Sequence, residues 1–227
     1  MLTIVATPIG NLSDASERMI RALNEADIIA CEDTRVSGKL LTHFGIETKM
    51  VSFHQHNEHK KLGLLVDWLK QGRRVALISD AGMPAISDPG FLAVRAAHQH
   101  GIPVSVVPGP DAATSALAVS GLPSDRFVFE GFLPVKKGRQ TRLLEISDSE
   151  LTTIVYESPY RVVSLLEQLL SVAGPDRWVC IVRELTKKFE EIQRGQLGAM
   201  VGEWKSRPSV KGEFVVVIAG KGYSEQE

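Results

Sequence analysis

The stretch SDAGMPAISDPG, Ser79 to Gly90, sets the fold expected for this chain. It follows the apolar run Val75–Ile78, which predicts a buried strand, and it precedes a helical pattern that begins at Phe91. Strand-to-helix connections usually need only about 2–6 residues, and open α/β sheets bind ligands at loops that leave the carboxyl ends of strands. The stretch therefore predicts a ligand site at the carboxyl edge of a parallel sheet. An ordinary loop in which Asp88 caps the following helix remains the alternative.

Outward from this stretch, the first half of the chain alternates strands with helices, which predicts an α/β fold with a mostly parallel sheet of five strands. The strands are expected at residues 2–6, 27–31, 50–53, 75–78 and 103–107. Helices are expected from a capping box of Asp14 and Glu17 to about residue 25, over residues 62–69 up to Gly72, and over residues 91–100. No element is assigned to residues 36–49.

Pro108–Gly109–Pro110 interrupts this alternation and predicts a hinge between an N-terminal α/β domain, residues 1–110, and a C-terminal α/β domain, residues 111–227. The second domain begins with a helix that ends before Gly121. Its strands are expected at residues 127–132, 153–157, 179–183, 189–194 and 214–219, with helices at 139–146, 162–172 and 197–205. The strands around residues 180–194 are close enough to form a hairpin, so this sheet is expected to be mixed.

Composition excludes some classes of protein and leaves others open. The 227 residues carry 26 Lys and Arg against 27 Asp and Glu, so a globally basic nucleic-acid binder is excluded, although a local basic patch is not. Cys31 and Cys180 lie in apolar runs and are expected to be buried free thiols in a reducing cytoplasm. We predict neither a secretory signal, a membrane span nor a structural metal site.

Polar, turn-rich stretches follow the predicted strands, and the carboxyl ends of parallel strands share one edge, so these segments can converge. They are TPIGN, ACEDTR, SDAGMPAISDPG, VPGPDAATS and, in the second half, YESPYR and RELTKKFEE. TPIGN lacks both a dinucleotide fingerprint and a P-loop lysine. Glu32–Asp33 is either a general base or a helix cap that pairs with Arg35.

The histidines near residue 56 and the basic run near residue 139 each have two possible interpretations. His54, His56 and His59 invite a metal site, but surface or capping roles are favoured because no carboxylate or cysteine accompanies them in a ligand spacing. Lys136, Lys137, Arg139 and Arg142 form either a solvated helix face or a phosphate contact.

Eight motifs occur along the chain in a recognisable order: TPIGNLSD, ACEDTR, SFHQHNE, SDAGMPAISDPG, VPGPDAATSAL, YESPYR, RELTKKFEE and KGEFVVVI. In this order they resemble the branch of the tetrapyrrole methylase superfamily that modifies ribosomal RNA. The resemblance implies two α/β domains with S-adenosylmethionine in the cleft between them, usually in a homodimer. It also implies a cytoplasmic enzyme that methylates the ribose 2′-hydroxyl of a cytidine in the decoding region of 16S rRNA, in the small ribosomal subunit.

The resemblance also assigns residues. Glu32 is the first candidate for the catalytic base and Asp33 the second. Met83 stands where relatives usually have Thr, and Tyr160 replaces a usual His. Cofactor contacts are implied for Pro8, Ile9, Gly10, Ala81, Gly82, Met83, Ile86, Asp111, Ala112, Tyr156, Glu184 and Gly212. RNA contacts are expected from Arg35, Lys136, Lys137, Arg139, Arg161, Arg183 and Lys187.

Three other functions compete with this one. The first is methylation of a small molecule such as a tetrapyrrole, on the same fold and with the same cofactor. The second is a Mg²⁺-dependent phosphohydrolase that uses Glu32, Asp33, Asp80 and Asp88. The third is a non-catalytic RNA-binding module.

Overall fold

The computed structural model describes residues 1–225. The chain forms two compact units, Met1–Asp111 and the residues from Ala112 onward. Each unit is an α/β structure built on a five-stranded sheet. The predicted fold class is therefore confirmed.

The first sheet is entirely parallel, with the strand order β3-β2-β4-β1-β5. Its strands are β1 (Leu2–Val5), β2 (Ile28–Cys31), β3 (Met50–Ser52), β4 (Val75–Ile78) and β5 (Val104–Val107). β4 lies in the middle of the sheet, and all four of its residues are buried because helices cover both faces. The expected parallel sheet is found, with strand bounds within one residue of those predicted.

Four helices cover this sheet: α1 (Glu17–Glu25), α2 (Thr34–His43), α3 (Glu58–Lys70) and α4 (Phe91–Gln99). On one face, Met19 and Leu23 of α1 and Leu41 of α2 pack in a common core. On the other face, Leu65 of α3 and Ala93 of α4 pack in a second core. The apolar runs of the strands follow from this burial on both sides.

One local prediction in this unit was wrong, and one helix was missed. The capping box at Asp14 is absent; Asp14 ends a 3-10 turn, and the Ser16 hydroxyl caps α1 by accepting the Met19 N–H at 3.1 Å. The helix α2 was not expected at all. Its sequence TRVSGKLLTH contains Gly38 and the β-branched Val36, which weaken the helical signal, but Asp33 caps its first turn.

The second sheet has the order β6-β7-β10-β8-β9, in which β6 and β7 are parallel and the other neighbours are antiparallel. Its strands are β6 (Phe127–Phe132), β7 (Thr152–Glu157), β8 (Trp178–Arg183), β9 (Glu191–Gln196) and β10 (Phe214–Ile218). This confirms the mixed sheet, and β8 and β9 form the expected antiparallel pair. β9 begins two residues later than predicted.

Helices again cover both faces of this second sheet. α5 (Ala112–Ser120) packs on one face, through Ala116 and Leu117. α6 (Arg139–Asp148), α7 (Val162–Ala173) and α8 (Leu197–Ser206) pack on the other. Cys31 of the first unit and Cys180 of the second are both free and buried, as expected. Within residues 1–225, no helix is long and apolar enough to cross a membrane.

Candidate active site at the carboxyl edge of the parallel sheet

Two loops of the first unit are joined at the carboxyl edge of the sheet. Thr7, after β1, and Gly82, after β4, form an isolated antiparallel bridge. The Thr7 N–H donates to the Gly82 carbonyl at 2.9 Å, and the Gly82 N–H donates to the Thr7 carbonyl at 3.0 Å. Gly82 has φ +81°, and a Cβ there would lie 3.3 Å from Cγ2 of Ile9. Glycine at position 82 therefore lets the TPIG and SDAG loops meet through their backbones.

The loop after Gly82 has an unusual backbone. Ala85 and Ser87 have φ values of 69° and 59°, a backbone conformation that residues other than glycine rarely adopt. Such conformations persist only where surrounding structure imposes them, and they cluster at functional sites. Gly90 is the N-terminal cap residue of α4 and supplies no side-chain hydrogen bond.

The capping role considered for Asp88 is therefore not observed. Its carboxylate is instead hydrogen-bonded to the side chain of Ser79. Burial, followed by repulsion from Glu32, raises the pKa of Asp88 to about 6. The Asp88 side chain is thus held by Ser79, directly after β4, rather than by the first turn of α4.

Glu32 and Asp33, after β2, are held against Asp80, after β4. Oδ1 of Asp80 accepts the backbone N–H of Asp33 at 3.0 Å. In the opposite direction, the backbone N–H of Asp80 is hydrogen-bonded to the Glu32 carboxylate. The parallel register explains this pairing, because Cys31 lies opposite Ile78 and both chains continue past the sheet side by side.

The two candidate bases have opposite electrostatic environments. Asp33 caps α2 through the Arg35 N–H at 2.8 Å and also pairs with the Arg35 guanidinium at 2.6 Å. The hydrogen bonds from Arg35 lower the pKa of Asp33 to about 2. Burial, followed by the charge of Asp80, raises the pKa of Glu32. Asp33 therefore takes the structural role that its sequence context allowed, whereas Glu32 is the more basic carboxylate.

A cavity of about 440 Å³ opens beside these carboxylates. His54 forms part of its wall. Nδ1 of His54 accepts the His56 N–H at 3.2 Å, and the backbone N–H of His54 donates to Oδ1 of Asn57. These contacts hold the turn before α3, whose N-cap residue is Asn57. The lining residues are Glu32, Asp33, Thr34, Arg35, Ser52, His54, His56 and Asp80.

No group of three or more His, Cys, Asp or Glu side chains within residues 1–225 is arranged to hold a metal ion. The phosphohydrolase alternative relies on Glu32, Asp33, Asp80 and Asp88. However, Oδ1 of Asp80 accepts the Asp33 N–H, and the Asp33 carboxylate binds the N–H and the guanidinium of Arg35. The phosphohydrolase alternative thus has no ligand cluster in the described part of the chain.

The predicted RNA-binding residues divide into exposed and internally paired side chains. Arg139 is 8% exposed, and its guanidinium contacts Glu157, Gln168 and the Pro134 carbonyl. Its assignment to an RNA contact is therefore wrong, because it is committed to a buried ion pair. Lys136 and Lys137, three and two residues earlier, are exposed.

The other predicted RNA contacts lie beside carboxylates. Arg161 pairs with Glu157 at 2.7 Å. Arg183 reaches Glu191 and the Lys211 carbonyl. Lys187 lies about 3 Å from both Glu184 and Glu213 (3.0 and 2.9 Å). The Arg35 side chain is 88% exposed and pairs with Asp33. Of this set, Arg35, Lys136 and Lys137 are the most accessible.

Among the predicted cofactor contacts, the structure brings together Glu184 and Gly212 of the second unit. A Cβ on Gly212, which has φ +102°, would lie 2.5 Å from Cγ of Glu184. Although burial acts in the other direction, the Glu213 N–H and Lys187 lower the pKa of Glu184. Tyr156 packs edge-on against Phe129 and Phe132. These contacts account for the local packing, and a cofactor role for the three residues stays a prediction.

In the first unit, Pro8 and Ile9 are buried beside the Thr7–Gly82 bridge, whereas Gly10, Ala81 and Ile86 are exposed and Met83 is half-buried. Asp111 is the last residue of the first unit, and Ala112 begins α5. Sequence reasoning assigned no part in methyl transfer to Asp80 or Asp88. Asp80 lies two residues after β4, and this place at a strand end could have identified it, whereas Asp88 lies in the loop ten residues after β4 and had no such signal.

Comparison with known proteins agrees with this geometry. The family model of the tetrapyrrole (corrin/porphyrin) methylases matches residues 1–201. A protein of Halalkalibacterium halodurans named ribosomal RNA small subunit methyltransferase I is 50% identical over 222 residues, which cover 97% of this chain and 76% of that protein. A protein of the same name from Vibrio cholerae is 49% identical over 223 residues, covering 97% and 77%.

Among solved structures, the uroporphyrin-III C-methyltransferase of Thermus thermophilus, complexed with S-adenosylhomocysteine, superposes with a TM-score of 0.65. It is 22% identical, and the match covers 96% of both chains. This likeness concerns the fold.

Proposed function

The chain belongs to the tetrapyrrole methylase family, and from this premise we propose that it is a methyltransferase that transfers the methyl group of S-adenosylmethionine to the RNA of the small ribosomal subunit. The acceptor that we propose is the ribose 2′-hydroxyl of a cytidine in the decoding region of 16S rRNA. This finer assignment is supported by the order of the motifs from TPIGNLSD to KGEFVVVI.

One observation carries the choice of substrate class. Relatives named for ribosomal RNA methylation share about half of their residues with this chain across nearly its whole length (50% over 222 residues). Solved methyltransferases named for uroporphyrin share only 22% or less, and their likeness supports the fold without supporting a tetrapyrrole substrate. RNA is therefore favoured over a small molecule.

The first unit offers a surface that fits part of the cofactor. Gly82 lets the TPIG and SDAG loops meet through their backbones, and the loop that continues through Met83 and Ile86 carries the positive φ angles of Ala85 and Ser87. Backbone N–H and C=O groups together with small apolar side chains suit an amino acid chain. We assign Pro8, Ile9, Gly10, Ala81, Gly82, Met83 and Ile86 to this contact, and Asp111, Ala112, Tyr156, Glu184 and Gly212 stay further candidates.

When bound, S-adenosylmethionine supplies an electrophilic methyl group on a sulfonium that departs as a neutral thioether. The chain must then position a hydroxyl and receive its proton. Glu32 is suited to that task, because burial and the Asp80 charge raise its pKa and make it a better base. The Asp80 N–H holds the Glu32 carboxylate in place, so its orientation does not depend on substrate.

Phosphate groups near the acceptor nucleotide would meet cations. Arg35 lines the cavity beside Glu32 and is largely exposed. On the second unit, Lys136 and Lys137 are exposed positive charges. The side chains of Arg161, Arg183 and Lys187 already pair with carboxylates, so each would have to leave its carboxylate to bind a phosphate. We also propose that the protein is a homodimer located in the cytoplasm. Light scattering of the purified protein tests whether it is a dimer.

The test is transfer of label from S-adenosyl-[methyl-³H]methionine to three acceptors: small ribosomal subunits from cells that lack the enzyme, deproteinised rRNA, and a uroporphyrinogen. We expect label in the rRNA of the subunits. Label in the uroporphyrinogen alone would overturn the choice of substrate class while leaving the fold and the methyltransferase activity in place.

A further inference from the structure

A second cavity lies between α1 and the β1–β5 side of the parallel sheet. It has a volume of about 170 Å³, and the strand residues in its lining are Thr3 of β1, Val75 and Ala76 of β4, and Ser105 and Val107 of β5. We call it the arginine cavity after the side chains that define it: Arg18 and Arg21 of α1, Arg74 before β4, and the hydroxyl-bearing Thr3 and Ser105. None of the predicted site residues belongs to it.

The cations of the arginine cavity are poorly neutralised. Within the described residues, Arg18 and Arg21 have no carboxylate within 4.0 Å, and the guanidinium of Arg18 reaches only the Val106 carbonyl, at 3.4 Å. Arg74 is paired with Asp27, whose carboxylate lies 3.6 Å from the guanidinium and accepts the Arg74 backbone N–H at 2.7 Å, so the excess charge comes from Arg18 and Arg21. The ammonium group of Met1, another lining residue, donates to the Arg73 carbonyl. Glu25 is the one acidic residue in the lining, so the cavity has a positive excess.

The polar groups of the arginine cavity come from several elements of the fold and not only from one charged face of α1. Arg18 and Arg21 are three residues apart, which places them on neighbouring positions of one face of α1. Arg74 approaches from a different element, and the hydroxyl groups of Thr3 and Ser105 come from two adjacent, paired strands. Guanidinium groups bind phosphate oxygens in a fork, and hydroxyl groups add hydrogen bonds to the same oxygens.

We propose that the arginine cavity binds phosphodiester groups of the RNA substrate, away from the nucleotide that is methylated. This inference rests on the proposed function. The cavity is smaller than the roughly 300–1,000 Å³ typical of small-molecule sites, and it suits one or two phosphate groups with their chain continuing into solvent.

Its position separates binding from chemistry. Val75, in the lining, pairs with Ile28 at the start of β2, and Glu32 follows four residues later. Four strand residues span about 13 Å, and Arg18, which reaches Val106 of β5, is separated from β2 by the two strands β4 and β1, at about 4.8 Å from strand to strand. A phosphate here therefore lies well away from a hydroxyl at Glu32. Loss of the contact should weaken the hold on RNA without altering the methyl-transfer step.

The test is the double variant R18Q/R21Q, compared with the control K70Q/R95Q. The control removes the same charge from α3 and α4, whose core lies on the other face of the sheet. Binding to small ribosomal subunits that lack the modification is measured from 50 to 300 mM KCl, together with KM and kcat for methyl transfer. Thermal melting verifies that both variants are folded.

We expect R18Q/R21Q to raise KM for the subunits about tenfold near physiological salt and to reduce the slope of log K against log salt by about 1.5, since each phosphate contact contributes about 0.7–0.9. Its kcat and its affinity for S-adenosylmethionine should match the control. A variant whose KM and salt slope equal those of K70Q/R95Q overturns the arginine cavity as an RNA site, while the proposed function stands. If the wild-type enzyme transfers no label to subunits, the proposed function fails, and this inference fails with it.

Discussion

Oδ1 of Asp80 accepts the backbone N–H of Asp33 at 3.0 Å, and this contact joins the loops that follow β4 and β2. The reverse contact, from the Asp80 N–H to the Glu32 carboxylate, makes the connection reciprocal. The charge of Asp80 also raises the pKa of Glu32, so one residue both positions the proposed base and tunes its basicity.

Replacing Glu32 with Gln should lower kcat for methyl transfer by about 10²–10⁴, because a general base contributes that range to proton transfer. Affinity for S-adenosylmethionine should change little, since the amide is nearly isosteric. The matched control is D33N, which retains a good helix cap and should keep kcat within about fivefold. Equal losses in both variants would remove the distinction between the two carboxylates.

Replacing Asp80 with Asn keeps an oxygen that can accept the Asp33 N–H but removes the negative charge beside Glu32. Because that charge raises the pKa of Glu32, the acid limb of the kcat/KM profile should move to lower pH. The measurement is kcat/KM from pH 5 to 9. An acid limb that stays in place or moves upward would contradict the assignment of Glu32 as the titrating base.

Protonation of Asp88 stabilises the folded protein, so the contribution of this residue to the free energy of unfolding should fall as the pH rises. Its folded-state pKa of about 6 exceeds the usual aspartate value of 3.8, so the native state binds the proton more tightly than the unfolded state between these values. The contribution to the free energy of unfolding is therefore fully present below pH 3.8 and is lost as the pH rises through 6.

Chemical denaturation of the wild type and D88N at pH 4 and pH 7 measures this effect. From pH 4 to pH 7, D88N should gain about 1–2 kcal/mol of stability relative to the wild type, a value discounted for the partial exposure of the side chain. A difference that is independent of pH would show that Asp88 has an ordinary pKa in the folded protein.

The substitution G82A tests the joined loops. Both Gly82 and Gly45 have positive φ (+81° and +65°), so alanine at either position should cost about 1 kcal/mol of stability. Only at Gly82 does the added Cβ meet a neighbour, Cγ2 of Ile9 at 3.3 Å; at Gly45 nothing lies within 4 Å.

Isothermal titration with S-adenosylmethionine should therefore show about tenfold weaker binding for G82A and unchanged binding for G45A. Unchanged binding in both variants would place the cofactor contact elsewhere than the TPIG and SDAG loops.

The main elements of the fold could be predicted from the sequence because their signals are local. Val75–Ile78 is continuously apolar, since helices cover both faces of β4, and the long loop after it marked the site edge. Helix α2 was missed because Gly38 and Val36 weaken its propensity, and its stability comes from the Asp33 cap and the packing of Leu41.

The site was only partly predictable for a different reason. The acidic pair Glu32–Asp33 was located by its place after a strand, but the contact of each with Asp80 depends on the register between β2 and β4, which no sequence pattern states. Arg139 was misassigned because a basic run does not reveal which of its members turns inward to meet a buried carboxylate such as Glu157.

The most direct test of the central claim is nucleoside analysis of small-subunit rRNA methylated by the purified enzyme. Subunits from cells lacking the enzyme are incubated with labelled S-adenosylmethionine, and their rRNA is digested to nucleosides and separated by mass. We predict a single labelled nucleoside, cytidine methylated on the ribose 2′-oxygen, and one position in the undigested rRNA that resists alkaline cleavage. Label on a base carbon or nitrogen, or no label in rRNA under conditions in which the cofactor binds, would contradict the account.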